Sequence, residues 1–125
     1  MGAAEHIHWE LTKDIAGAAM TVLNTLKLGL KEKAYENALV IELRKHGHVI
    51  EQQRIFDVLY DGVTVDTLIP DLIVDEKMIV DAKCVASFTD AHFAQMIGYL
   101  AITGHRAALL LNFRAAPLRW KRVIR

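Results

Sequence analysis

The stretch "AALLLNF", residues 107–113, is apolar at every position but one. A strand with one face in water alternates, so an unbroken run of this kind must be covered on both faces. It belongs inside a sheet with helices above and below, and the rest of the chain contains the cover. From about Thr12 to Lys27, Ile15, Ala18, Ala19, Val22, Leu23 and Leu26 recur at helical spacing. A second helix is expected from about Leu30 to His46, with Tyr35, Ala38, Leu39 and Leu43 inward and Gly47 as its stop. A third is expected from about Asp90 to Thr103, with Ser87 or Thr89 as N-cap and Gly104 at its end.

Between these helices the texture is that of strands. Val49 to Tyr60 reads as one, and Asp61-Gly62 is a strong hairpin signal. A second strand is expected from about Val63 to Val74. Pro70 inside it lacks a ladder donor and implies an edge, a bulge or a break. Asp75-Glu76-Lys77 is a turn, and "MIVDAKCV", residues 78–85, is the third strand. A last short strand, about Leu118 to Ile124, alternates apolar and basic residues. The order ααβββαβ(β) describes an α/β chain whose mixed sheet is flanked by helices.

With 125 residues, 53% of them hydrophobic, and a mean hydropathy of +0.21, the chain suits a single well-filled domain over 1–125 and not a disordered one. Residues 1–11 are expected to form a loosely ordered extension. The apolar runs are too short for a bilayer, and "MGAAEHIHWE" lacks the basic and apolar regions of a signal peptide. The single cysteine, Cys84, excludes an internal disulfide and fits a reducing cytoplasm. Zero net charge argues against a general histone-like nucleic-acid binder. The distribution is uneven, however: residues 51–81 hold eight acids and two bases, whereas residues 114–125 hold five bases and no acid. An acidic centre beside a basic tail suits a metal site facing a phosphate backbone, although solvated surface would look the same.

Asp81 and Lys83 interrupt an otherwise apolar strand, and at i and i+2 they share a face. If the flanking strands pair about the Asp75–Lys77 turn, Asp71 comes to lie near Asp81. Two close carboxylates repel and raise a pKa unless a cation neutralises them. Oxygen clusters with open positions suit Mg²⁺, with water and phosphate completing the shell. A lysine one pleat away can hold an attacking water and offset charge in a phosphoryl transition state.

The run "PDLIVDEKMIVDAK" matches the PD-(D/E)xK nuclease signature, with Asp where members often carry Glu. "GLKEKAY", residues 29–35, spells G-x-x-E-x-x-Y and leads into "ENALVIELRKHGHVIEQQ"; "HFAQMIGYL", "LLLNF" and "KRVI" follow later. Together, over roughly residues 12–125, these resemble the small bacterial and archaeal GxxExxY proteins of the PD-(D/E)xK superfamily. The resemblance implies a restriction-endonuclease-like core and a prokaryotic, cytoplasmic, Mg²⁺-dependent nuclease in which Mn²⁺ substitutes. It implies Asp71, Asp81 and Glu32 as metal ligands and Lys83 as the catalytic lysine. Gln95-x-x-x-Tyr99 is similar to the Q-x-x-x-Y motif of the exonuclease branch, which places Gln95 at the site and Tyr99 beside substrate. The i, i+4 spacing puts both on one helix face, and His92 lies on that face too. The expected partner is nucleic acid, DNA in preference to RNA, with no membrane. So small a domain would gain surface from a homodimer or a partner domain.

Plainer readings stand beside these. Asp81 and Lys83 could be a surface ion pair, Glu32 an ordinary first-turn acid, and Gln95 and Tyr99 a helix-surface pair. Tyr35 and Cys84 read as core, and His6-x-His8 as a terminal pair without a ligand. Arg119 and Lys121 either contact substrate phosphates or keep an edge strand soluble. The rival function is a binding module with a weak or inactive site on the same fold.

Overall fold

The computed structural model describes residues 6–125. Two helices come first, α1 (Trp9–Leu26) and α2 (Glu32–Lys45). Strands β1 (Ile50–Gln52), β2 (Phe56–Tyr60), β3 (Val63–Leu68), β4 (Leu72–Val74) and β5 (Met78–Lys83) follow. Helix α3 (Asp90–Thr103) then leads to β6 (Ala107–Asn112) and β7 (Arg119–Ile124). Five strands form one mixed sheet in the order β1-β4-β5-β6-β7, with β5 and β6 parallel and the other neighbours antiparallel. Strands β2 and β3 pair only with each other, as a separate ribbon.

The sheet is buried on both faces. Leu72, Val74, Met78, Val80, Ala82, Leu109 and Leu111 meet Ile15, Ala18, Ala19, Leu39 and Leu43 of α1 and α2. Ile73, Ile79, Ala108 and Leu110 meet Met96, Tyr99 and Leu100 of α3, with Phe56 and Leu68 of the ribbon beside them. Every residue of β6 is buried, as its unbroken apolar run requires. Tyr35 is core: it stacks on Phe113 at 4.7 Å, and its hydroxyl donates to Lys27 O and accepts from Leu30 N–H. It thereby pins the α1–α2 loop, where Lys27 and Gly29 take positive φ.

Three boundaries differ from expectation. Helix α1 begins at Trp9, ahead of Thr12, inside the stretch expected to be a loose extension; residues 1–5 of that stretch lie outside the described residues. The strand expected over Val49–Tyr60 is two, because Gln53 turns the chain with φ of +58° after β1. The strand expected over Val63–Val74 breaks around Pro70 into β3 and β4, since proline offers no ladder donor. These breaks detach the ribbon from the sheet. They also leave Asp71 at the start of β4.

Candidate active site

Antiparallel pairing of β4 with β5 sets Leu72 opposite Val80, which brings Asp71 across from Asp81. Each carboxylate accepts a backbone N–H from the opposite strand. Asp71 N–H donates to Asp81 Oδ1 at 2.9 Å, and Ala82 N–H donates to Asp71 Oδ2 at 3.0 Å. Asp81 is only 3% exposed. Burial, then the charge of Asp81, pushes the Asp71 carboxyl up to about 7, with Glu36 adding to the effect. Asp81 is raised too, chiefly by burial and also by Glu36, against the Asp71 N–H bond and Lys83. The pair holds more negative charge than its surroundings neutralise.

Lys83 stands one pleat beyond Asp81, with Nζ 3.7 Å from Asp81 Oδ2. Its ammonium donates to Gln95 Oε1 at 3.1 Å, and Gln95 Nε2 donates to Tyr99 Oη at 3.0 Å. One chain of contacts thus runs Asp81–Lys83–Gln95–Tyr99, linking β5 to two successive turns of α3. Burial and the two aspartates push the Tyr99 hydroxyl up to about 12, so it stays protonated at neutral pH. Cys84 packs with the α1–α2 side of the core, away from Lys83.

Two expected site residues lie elsewhere. Glu32 does not join the aspartates; its carboxylate accepts the backbone N–H of Cys84 at 3.0 Å, beyond the end of β5. The α2 acid that acts on Asp71 and Asp81 is Glu36, 3% exposed and one helical turn later. His92 does not join the Lys83–Gln95–Tyr99 chain. Its Nδ1 accepts the Thr89 N–H at 3.0 Å and closes the start of α3. Arg119 and Lys121 follow from the register: Lys83 pairs with Asn112 and that with Arg119, while Asp81 pairs with Leu110 and that with Lys121. Opposed residues share a face, so both bases project on the side of Asp81 and Lys83, roughly 10 Å away across two strand spacings.

Glu36 and Gln53 were not singled out from the sequence. Gln53 Nε2 reaches Glu36 Oε2 at 3.0 Å and Asp71 Oδ1 at 3.4 Å, and Gln52 Nε2 also donates to Glu36. The available signal was the polar run Glu51-Gln52-Gln53 between the apolar Val49-Ile50 and Ile55-Phe56, together with an acid at i+4 from Glu32 on the same helix face.

The donor set fits a hard divalent cation. Asp71, Asp81 and Glu36 offer carboxylate oxygens whose mutual repulsion a cation would relieve; Lys83, Lys33 and two backbone N–H groups offset part of it. Among the described residues no group of three or more His, Cys, Asp or Glu forms a ready cage. Mg²⁺ needs none, since it commonly uses one or two carboxylates and completes its shell with water and phosphate.

The chain is similar to known proteins in family and in fold. Residues 9–123 match the family model described as the PD-(D/E)XK nuclease superfamily. Among solved structures, the fold is similar to that of an alkaline exonuclease from Laribacter hongkongensis, with TM-score 0.56 at 14% identity, covering 87% of this chain and 68% of that one. The same exonuclease in complex with dAMP is similar with TM-score 0.51 at 14% identity, covering 91% and 82%. No curated protein matches the chain. With the family model spanning nearly all of its length, this chain belongs to the PD-(D/E)XK nuclease superfamily.

Proposed function

We propose that this protein is a divalent-metal-dependent nuclease that hydrolyses phosphodiester bonds at the Asp71–Asp81–Lys83 site, acting on DNA in preference to RNA. The single observation that carries the reading is the buried carboxylate pair with Lys83 tethered to Gln95 beside it. Asp71 and Asp81, with Glu36 in the place expected of Glu32, would hold Mg²⁺, or Mn²⁺ in its stead. The cation, when bound, supplies Lewis-acid stabilisation of charge on the scissile phosphate. Lys83 has a fixed direction through Gln95 and keeps further N–H donors for a phosphate oxygen or an attacking water. Gln95 and Tyr99 hold that amine in place, and Arg119 and Lys121 are set to contact flanking phosphates. His92 is assigned to the helix start and not to substrate. The deoxynucleotide in the exonuclease complex of related fold supports DNA over RNA.

The test is a panel of single-stranded, double-stranded and branched DNA and RNA, with Mg²⁺ or Mn²⁺, run on wild type and Lys83→Ala. Lys83→Ala should retain cation binding and lose cleavage by about 10²-fold or more. Wild type inert on every substrate with both metals would sink the nuclease reading and leave the binding module.

A further inference from the structure

The end of the sheet away from Asp71 and Asp81 carries a second concentration of charge, and it is basic. A cavity of about 250 Å³ opens where the β4–β5 turn, the entry to α1 and the α3–β6 loop meet. Lys77, Arg106, His105 and His8 line it, with Glu76 as the one acid on its wall. The bases are close enough to act on one another. Protonation of His8 is disfavoured by burial and then by Lys77, Arg106 and His105.

Glu76 and Asp75 stand near Lys77, but among the described residues no carboxylate closes an ion pair with these bases. Among the described residues, neither Lys77 nor Arg106 has a side-chain hydrogen bond or an ion-pair contact with a carboxylate. His105 Nδ1 is buried with no hydrogen-bond partner there either. The usual structural use of bases at this position is to satisfy the C-terminal carbonyls of a helix. Here, among the described residues, neither Lys77 nor Arg106 donates to a carbonyl of α3, and Leu100 O instead accepts Gly104 N–H and Arg125 Nη1.

A concave wall with an ammonium, a guanidinium and two imidazoles, none of them in an ion pair, suits a compact oxyanion. The volume lies below the roughly 300–1,000 Å³ of pockets for drug-sized molecules. A guanidinium and an ammonium at one site suit tetrahedral phosphate, the first by its fork and the second as a point charge. We propose that this cavity is a phosphate-binding site distinct from the carboxylate site, anchored by Lys77 and Arg106 and completed by His105 and His8. The phosphate belongs either to a free phosphate or nucleotide, or to the backbone of a nucleic acid. Lys77 directly precedes β5 and sits roughly 13 Å along the strand from Asp81. The strand between them is buried on both faces, so the core separates the two sites.

The full chain, kept in EDTA so that nothing is cleaved, is titrated while the histidine ring resonances are followed by NMR. The probes are inorganic phosphate, a nucleoside monophosphate and an oligodeoxynucleotide with a 5′-hydroxyl, each against chloride at equal ionic strength. Saturable shifts of His8 and His105 are expected. Response to the first two probes assigns a free phosphate, and response to the oligonucleotide alone assigns a backbone phosphate. Lys77→Ala with Arg106→Ala should weaken binding about tenfold or more, whereas Lys77→Arg with Arg106→Lys should keep most of it. Absent shifts, shifts matched by chloride, or equal affinity in the double alanine variant would each overturn the proposal. The wild-type titration decides even if that variant does not fold. Because cleavage is never read, this outcome is independent of whether the protein proves to be a nuclease.

Discussion

Glu36 is the residue on which the chemistry of the site turns most sharply. It is almost fully buried, yet its carboxylate is held by Lys33, Gln52 and Gln53 and raises the proton affinity of both aspartates. Lys33 offsets part of that charge, and a cation at the aspartates would relieve the remaining repulsion. Glu36→Gln should therefore lower cleavage by about 10²-fold, and Glu32→Gln, which alters only a contact with Cys84 N–H, should lower it less than about tenfold. Steady-state rates at saturating Mn²⁺ compare the two; a larger loss in Glu32→Gln would restore the acid of the G-x-x-E-x-x-Y motif to the site. Asp71, Asp81, Lys83, Gln95 and Tyr99 were legible because each has a fixed offset within a hairpin or one helix face. Glu32 and Glu36 were not separable, because i and i+4 share a face and only the seating of α2 on the sheet decides which reaches the aspartates.

At the scale of elements, the third helix and the last two strands were readable because their apolar patterns are long and their caps strong. The middle of the chain was not. A strand signal in sequence does not show whether β1 continues into β2 or stops, and here a positive φ at Gln53 and the missing donor of Pro70 redirect the chain. A clasp holds the other end of β4. His48 Nδ1 contacts Asp75 Oδ2 at 2.6 Å and its Nε2 contacts Asp14, so one ring ties α1, the α2–β1 loop and the β4–β5 turn. His46 and Glu42 lie beside it, and Lys77 acts on Asp75. Burial opposes the charged imidazole, but the bonds to Asp14 and Asp75 outweigh it and raise its pKa above 6.5. Asp14 is lowered from 3.8, chiefly by its bond to His48. Asp75 is lowered as well, because the Val49 N–H and His48 outweigh its burial. The imidazolium term is full below pH 6.5 and is lost as pH rises through the raised value. The carboxylate terms are present above 3.8 and are lost as pH falls through the lowered values. The clasp is thus strongest between about pH 4 and 6.5. Asp14 is 43% exposed, so the net effect is screened to about 1 kcal/mol, or about 3–4 °C in Tm. Wild type should outlast His48→Gln by that margin more at pH 5.5 than at pH 8.5 in thermal melts; an equal deficit at both would remove the ionic clasp.

Across the whole molecule, charge is sorted by the sheet. The buried aspartates lie at the carboxyl end of β5, Lys77 and Arg106 at its amino end beside the paired acids of the clasp, and Arg119 and Lys121 on the face of Asp81. Composition showed only that an acidic stretch and a basic tail coexist; the strand order decides which of them meet. Concentrating carboxylates in a buried site has a consequence for stability that cleavage assays do not see. Because the folded pKa of Asp81 is raised, its ionised form weakens the native state at neutral pH. Asp81→Asn keeps an oxygen for the Asp71 N–H and removes one of three like charges, at the expense of the counter-charge near Lys83. Burial favours the neutral group, so in EDTA the variant should be more stable than wild type by about 1 kcal/mol. Mg²⁺ or Mn²⁺ at a hundredfold excess over Kd should then stabilise wild type by about 2.7 kcal/mol and leave Asp81→Asn nearly unmoved. The order of melting temperatures would reverse on adding metal. A variant that melts below wild type in EDTA would show that the carboxylates are already compensated. A wild type that does not respond to either cation would show that the pair does not bind one.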